Sequence, residues 1–258
     1  LIPQTGDYGR AAIEAISHYA VEAALLKVLG SEMLDFVADE AVQIHGGMGY
    51  SSEMMVERGY RDSRINRIFE GTNEINRILV VDTALKRALK GDFDLFPRAE
   101  KLYEDIDSLA DGKVPGEEYF AQKKRYIIKF KKVMLLLIHC TSKHFAKNLV
   151  NEQEVLNNIA EMMMEVYATE SLALRVEKLQ SMGKEVNIHR DILDVNLYDT
   201  AELVRKMAYD AVYSFADAQQ AARLVRTVDI LTRVEGVNVR DARRRIADKV
   251  IQDNMYKF

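Results

Sequence analysis

The chain has 258 residues, 48% of them hydrophobic, and a formal net charge of −4. That length can bury one or two real cores, and the slight acidity argues against a nucleic-acid binder. One cysteine, Cys140, excludes an internal disulfide framework, and no stretch reaches the ~20 apolar residues of a membrane-spanning helix. Three prolines and abundant Ala, Leu, Glu, Lys and Arg favour an all-α fold.

Residues 1–6 read as a lead-in. Asp7 is positioned to cap a helix running to Lys27, with Ile13, Ile16, Ala20 and Ala23 on one face. Gly30 and Ser31 should kink or interrupt it. Met33, Phe36, Val37, Ala41 and Ile44 continue the apolar stripe to His45, and Gly46 and Gly47 end it. The His-Gly-Gly-Met-Gly run follows a helix rather than a strand, so it is not a dinucleotide fingerprint. A short helix is predicted over 53–61. Glu57, Arg58, Arg61, Asp62 and Arg64 form either a solvated ion-pair face or a shell that holds the next loop.

That loop carries Phe69, Glu70, Gly71 and Thr72. An aromatic neighbour disfavours the charged carboxylate and strengthens it as a base. Gly71 lets a ligand approach the backbone, and Thr72 or Asn73 can cap the helix that follows. Taken alone, Glu70 reads as a solvated or salt-bridged surface acid. The pattern predicts a helix over 73–90, with Ile75, Ile78, Leu79, Val81, Leu85 and Leu89 inward and Gly91 as its stop.

Residues 93–118 read as a junction: Pro97 starts a short helix with Leu102, Ile106 and Leu109, and 110–118 form a linker. Helices follow over about 117–149, from a capping box at 151–154 to Ser181, and over about 190–217, 221–234 and 239–253. Short loops make them antiparallel neighbours. Lys123, Lys124, Arg125, Lys129, Lys131 and Lys132 form a basic stripe, either a solvated face or an attraction to an anionic membrane. Met162, Met163 and Met164 suit a core. His139, Cys140 and His144 point apart on a helix, so no metal site is expected.

The run QIHGGMGY…VERGYRDSRINRIFEGTNEI resembles the C-terminal signature of the acyl-CoA dehydrogenases, through Gln43, Gly46, Gly47, Gly49, Tyr50, Val56, Glu57, Arg58, Arg61, Asp62, Glu70, Gly71 and Thr72. The resemblance implies Glu70 as catalytic base and Gly71 as a substrate contact. It implies Thr72, Asn73 and Glu74 along the flavin, and Gln43, Ile44, His45, Gly46 and Gly47 at the adenine end of FAD, across a subunit interface. The implied reaction is α,β-dehydrogenation of an acyl-CoA. Glu70 takes the α-proton, a hydride goes to flavin N5, and an electron-transferring flavoprotein is the onward acceptor. The segment from Lys143 to Leu179 is similar to the domain appended in the very-long-chain subgroup. That implies long acyl chains, a homodimer and peripheral membrane contact, in the cytoplasm or, in a eukaryote, the mitochondrial matrix. The expected architecture is the end of the dehydrogenase helical bundle over 1–92, the junction over 93–118, and an appended antiparallel bundle over 119–258. On this resemblance the chain lacks the helical and β domains that precede this region in the family. It is then inactive and flavin-free by itself. The contrasting reading is a non-catalytic helical assembly module built on the same scaffold.

Overall fold

The computed structural model describes residues 8–109, 116–256 and 258. The lead-in at 1–6, the Asp7 cap and most of the 110–118 linker lie outside the described residues. As expected, the fold is all-α, and the chain divides into two compact units, Leu1–Phe93 and Asp94–Phe258.

The first unit contains α1 (Tyr8–His18), α2 (Ala20–Gly49), α3 (Met55–Arg64) and α4 (Asn73–Leu89), with a 3-10 turn at Ile65–Arg67. α2 is its spine and packs against α1, α3 and α4. The single helix expected from Asp7 to Lys27 is broken at Tyr19. Arg87 of α4 donates to the carbonyls of Ser17 and His18, which the break frees, at 3.1 and 2.9 Å. Gly30 and Ser31 do not interrupt α2. The Ser31 hydroxyl donates to the Val28 carbonyl and accepts from Asn73, so its polar side chain is satisfied within the helix. The turn expected at Gly46 is present: its φ of 59° and ψ of −149° leave the helical region, and one further turn reaches Gly49. A Cβ on Gly49 would lie 2.6 Å from the Val42 carbonyl oxygen, which explains that glycine.

The buried face of α2 is Ala24, Leu25, Val28 and Ser31, against Val80, Val81 and Ala88 of α4. The apolar stripe that the spacing lines up along α1 and α2 is exposed: Ile13, Ile16, Met33, Phe36 and Val37, with Ile44 at 80%. Ile75, Leu79 and Leu89 of α4 are exposed as well. Spacing identified amphipathic helices here but not which apolar side finds a partner within the chain.

The second unit contains α5 (Leu95–Glu104), α6 (Tyr119–Phe145), α7 (Gln153–Ser181), α8 (Asn187–Phe215), α9 (Ala218–Thr232) and α10 (Val239–Asp253). α6 packs against α5, α7, α8 and α9, and α8 also packs against α7, α9 and α10. Phe130, Leu136, Leu137, Ile159, Met162, Leu193 and Leu224 are fully enclosed, and Met164 is buried with them. The capping box at 151–154 is not used. Ala146 to Asn151 form a 3-10 turn, and Glu152 closes it by donating its N–H to Leu149, so α7 starts without a side-chain cap.

The basic stripe is partly packed into the unit and partly exposed, Lys124 being on the surface. Lys123 and Lys129 are buried. Lys123 pairs with Asp194, Lys124 with Glu177, Arg125 with Glu117 and Lys131 with Glu170, at 2.5–2.9 Å. No helix among the described residues is long and apolar enough to cross a membrane.

Candidate active site

Glu70 sits in the hinge between the Ile65–Arg67 turn and α4, with a φ of 55°, a left-handed backbone that a residue with a side chain seldom adopts. Gly71 follows with a φ of 79°, and a Cβ there would come within 3.0 Å of the Asn76 amide nitrogen. Two left-handed residues in succession swing the chain round into α4. Thr72 then caps that helix, its hydroxyl accepting from the Ile75 N–H at 3.3 Å.

The turn is held by side chains from both flanking helices. The Gly71 carbonyl accepts from Lys27 Nζ and from Asn76 Nδ2, each at 2.7 Å. Lys27 also donates to Asn73 Oδ1 at 2.7 Å, and Asn73 Nδ2 donates to Ser31 Oγ at 2.9 Å and Glu32 Oε1 at 3.1 Å. Glu32 is in turn gripped by Arg77, which donates to both carboxylate oxygens at 2.7 and 2.8 Å. Asn66 Nδ2 donates to the carbonyls of Asp62 and Ser63, closing the 3-10 turn on the other side.

A cleft of about 220 Å³ opens beside this turn, with Lys27, Gly30, Leu34, Phe69 and Glu70 on its wall. The kink expected at Gly30 is therefore a different feature. A Cβ there would meet nothing within 4 Å, and its absence leaves room in the cleft. The shielding that the sequence expects for Glu70 is not supplied by the described residues. Glu70 is exposed, and Phe69 is 47% exposed beside it. Its position and backbone geometry are fixed; its desolvation is not.

The other candidates fall into two groups. Thr72, Asn73 and Glu74 surround the start of α4, but they face different ways. Asn73 is 2% exposed and its amide is committed to Lys27, Ser31 and Glu32, whereas Glu74 is exposed. The Glu74 carboxyl is held below the usual carboxylate range by its own backbone N–H, then by the Thr72 hydroxyl, so it is an anion at neutral pH. Gln43, Ile44, His45, Gly46 and Gly47 are all exposed, and His45 is anchored by a 2.8 Å contact between Nδ1 and the Ala41 carbonyl. Gln43 stands twelve positions beyond Ser31, so this group lies roughly 18 Å further along α2.

Among the charges of α3, Arg61 pairs with Glu57 one turn away on the surface. The residues that hold the Glu70 turn are instead Lys27, Ser31, Asn73 and Asn76. Lys27 lies 44 positions before Gly71 and has no local pattern to announce it. Asn76, one turn into α4, is the member of this set that spacing from Thr72 could have found.

The second unit offers less chemistry. His139 stacks on Tyr103 at 4.9 Å, and His144 lies against Phe145 and Phe215. Burial pushes the Cys140 thiol up to about 12, far from a reactive thiolate.

Residues 8–85 match a family model described as acyl-CoA dehydrogenase, C-terminal domain, and residues 129–228 match a second model of the same description. The chain carries two acyl-CoA dehydrogenase C-terminal domains. A probable acyl-CoA dehydrogenase of Bacillus subtilis is 38% identical over 250 residues, which are 96% of this chain and 42% of that protein. The crystal structure of an acyl-CoA dehydrogenase complexed with FAD from Bacillus anthracis matches with a TM-score of 0.89 at 37% identity, covering 97% of this chain and 42% of that one. The mitochondrial very-long-chain specific enzyme of Bos taurus is 31% identical over 192 residues, 68% of this chain and 29% of that protein. The chain thus spans less than half the length of these relatives. Identity to the Bacillus subtilis protein is higher and runs further than identity to the very-long-chain enzyme.

Proposed function

We propose that this chain supplies the catalytic base and one flank of the flavin site of an FAD-dependent acyl-CoA dehydrogenase that oxidises long-chain acyl-CoA thioesters to trans-2-enoyl-CoA. The observation that carries the reading is the Glu70 turn. It is a carboxylate on a left-handed backbone at the mouth of a cleft, anchored on both sides, in a chain matching this family's C-terminal domains.

The donor and acceptor set suits a dinucleotide. The Gln43 amide and the open backbone of Gly46 and Gly47 would hold one end. Thr72 and the N-terminus of α4 would meet the other, where backbone N–H groups favour electron-rich atoms. FAD, when bound, supplies the acceptor for the hydride that leaves the β-carbon. Glu70 accepts the α-proton, and the electron pair of that C–H bond becomes the new Cα–Cβ double bond. A thioester α-proton is weakly acidic, so the base must lose its water. In this reading the acyl chain and cofactor displace that water on binding, because Glu70 is exposed without them. Gly71, lacking a Cβ, lets the thioester lie against the turn.

The same reading makes an electron-transferring flavoprotein the onward acceptor and a homodimer the working form. The apolar residues that α1 and α2 leave exposed support a subunit contact. The long-chain preference is supported by the likeness to the very-long-chain enzyme, and a turnover profile across acyl lengths tests it.

Glu70→Gln in the full-length holoenzyme tests the core of the reading. Flavin content should stay the same while bleaching of the flavin by acyl-CoA slows by about 10²–10⁴-fold. Unchanged bleaching would remove Glu70 from the mechanism.

A further inference from the structure

Lys27 lines the same cleft as Glu70, yet its ammonium is directed at the turn. It donates to the carbonyl of Gly71, the residue directly after Glu70, and to the side-chain oxygen of Asn73, the first residue of α4. The carbonyl it holds belongs to one of two consecutive residues with positive φ, at 55° and 79°. Such backbone persists only where its surroundings over-determine it, and for Glu70 no missing side chain eases the strain. Asn76 holds the same carbonyl from within α4, but it travels with that helix. Among these contacts, those of Lys27 tie the turn across to α2, with Ser31 and Glu32 reaching only as far as Asn73.

We propose that Lys27 is a positioning residue for the reaction. By clamping the Gly71 carbonyl to α2, it fixes the backbone from which Glu70 projects and keeps that carboxylate over the cleft. A base displaced by about an ångström loses much of its rate, so this clamp acts on turnover through Glu70 and touches no reacting atom. The proposal rests on the reading of Glu70 as base, but its structural half stands apart from it.

Lys27→Met keeps the aliphatic stem and removes both donated bonds, and Lys27→Arg restores a cation of different reach. Amide hydrogen exchange across residues 69–76 of this chain is the readout independent of activity. Lys27→Met should speed exchange there about tenfold or more, as expected when a charge-assisted bond is lost, while the interior of α4 around Val80 and Val81 stays protected. Lys27→Arg should recover part of that protection. In the full-length holoenzyme, Lys27→Met should lower kcat about tenfold or more with flavin content and the KM for acyl-CoA nearly unchanged. Unchanged exchange in Lys27→Met overturns the clamp. Faster exchange with unchanged kcat overturns its role in the reaction. A failure of Glu70→Gln to slow bleaching overturns the base reading while leaving the exchange result in place.

Discussion

The two units solve the same problem in opposite ways. The second unit wraps α6 and α8 in neighbours and encloses Phe130, Leu137, Leu193 and Leu224 completely. It buries even Lys123 and Lys129 of α6, with Lys123 paired to Asp194. The first unit has a thin core of small and β-branched residues, Ala24, Val28, Val80 and Val81, and turns Phe36, Val37, Ile44 and Met33 outward. The unit with the weaker core carries the left-handed turn, the cleft and every candidate cofactor contact. A fold that spends its apolar residues on a surface has fewer left to lock its own loops. The Glu70 turn is accordingly held by polar clamps rather than by packing. Stability and chemistry are separated along the chain.

That contrast is broken most directly by cutting into each unit. Leu193→Ala removes a fully enclosed side chain from the second unit. It should cost about 3–5 kcal/mol, read as a fall in the denaturation midpoint of that unit. A loss below about 1 kcal/mol would mean the bundle repacks freely around the missing side chain. Gly71→Ala should cost less, about 1–3 kcal/mol. The new Cβ meets the Asn76 amide at 3.0 Å on a backbone that disfavours it. The loss should be confined to the first unit, seen as faster amide exchange around residues 69–76 with the second unit's transition unmoved.

The helical content of both units was legible because amphipathic spacing, Gly91 and the short loops are local signals, and Gly91 sits at positive φ after α4. The all-α architecture follows from the same signals. The turn that carries the candidate site was legible in its motif: Glu70 and Gly71 stand just before α4, and Thr72 does cap that helix. What holds them was not legible. Lys27 and Ser31 act across 42–46 positions, and no periodicity links a lysine on one helix to a carbonyl on another turn. The orientation of the apolar stripes failed for a related reason. Spacing shows that Ile13, Met33 and Phe36 share faces, but the number of partners a face finds is a tertiary fact. The burial of Lys123 was not legible in the stripe on α6, because a lysine stem packs well when a carboxylate waits at the end, as Asp194 does for Lys123.

Smaller effects sharpen the same comparison. Burial is the main cause that lowers the His139 pKa from its ordinary 6.5, reinforced by Lys143 and opposed by Glu100 and Glu104. Its neutral form is the one the folded bundle accepts. The unfolded chain therefore binds the proton first as pH falls through about 6.5, and stability drops from there down to the lowered folded value. Urea midpoints at pH 7.5 and 5.5 should show an acid-side loss in the second unit. His139→Phe, which can keep the stack on Tyr103, should reduce that loss. An identical pH slope in the variant would place the acid sensitivity elsewhere.

The smallest expected effect is the most telling for the first unit. Phe36 is 66% exposed, so Phe36→Lys should change the stability of the dilute chain by no more than about 0.5 kcal/mol, despite replacing a large aromatic with a charge. A loss of 2 kcal/mol or more, at the level of a core phenylalanine, would show that something covers α2 in solution. Sedimentation of the same variant then separates the causes. If the parent chain sediments as a larger species that Phe36→Lys dissolves, the missing stability was intermolecular, and the thin core of the first unit is completed by a second copy. If both sediment as monomers, the covering lies within one chain, and the difference between the two units is smaller than their buried residues imply.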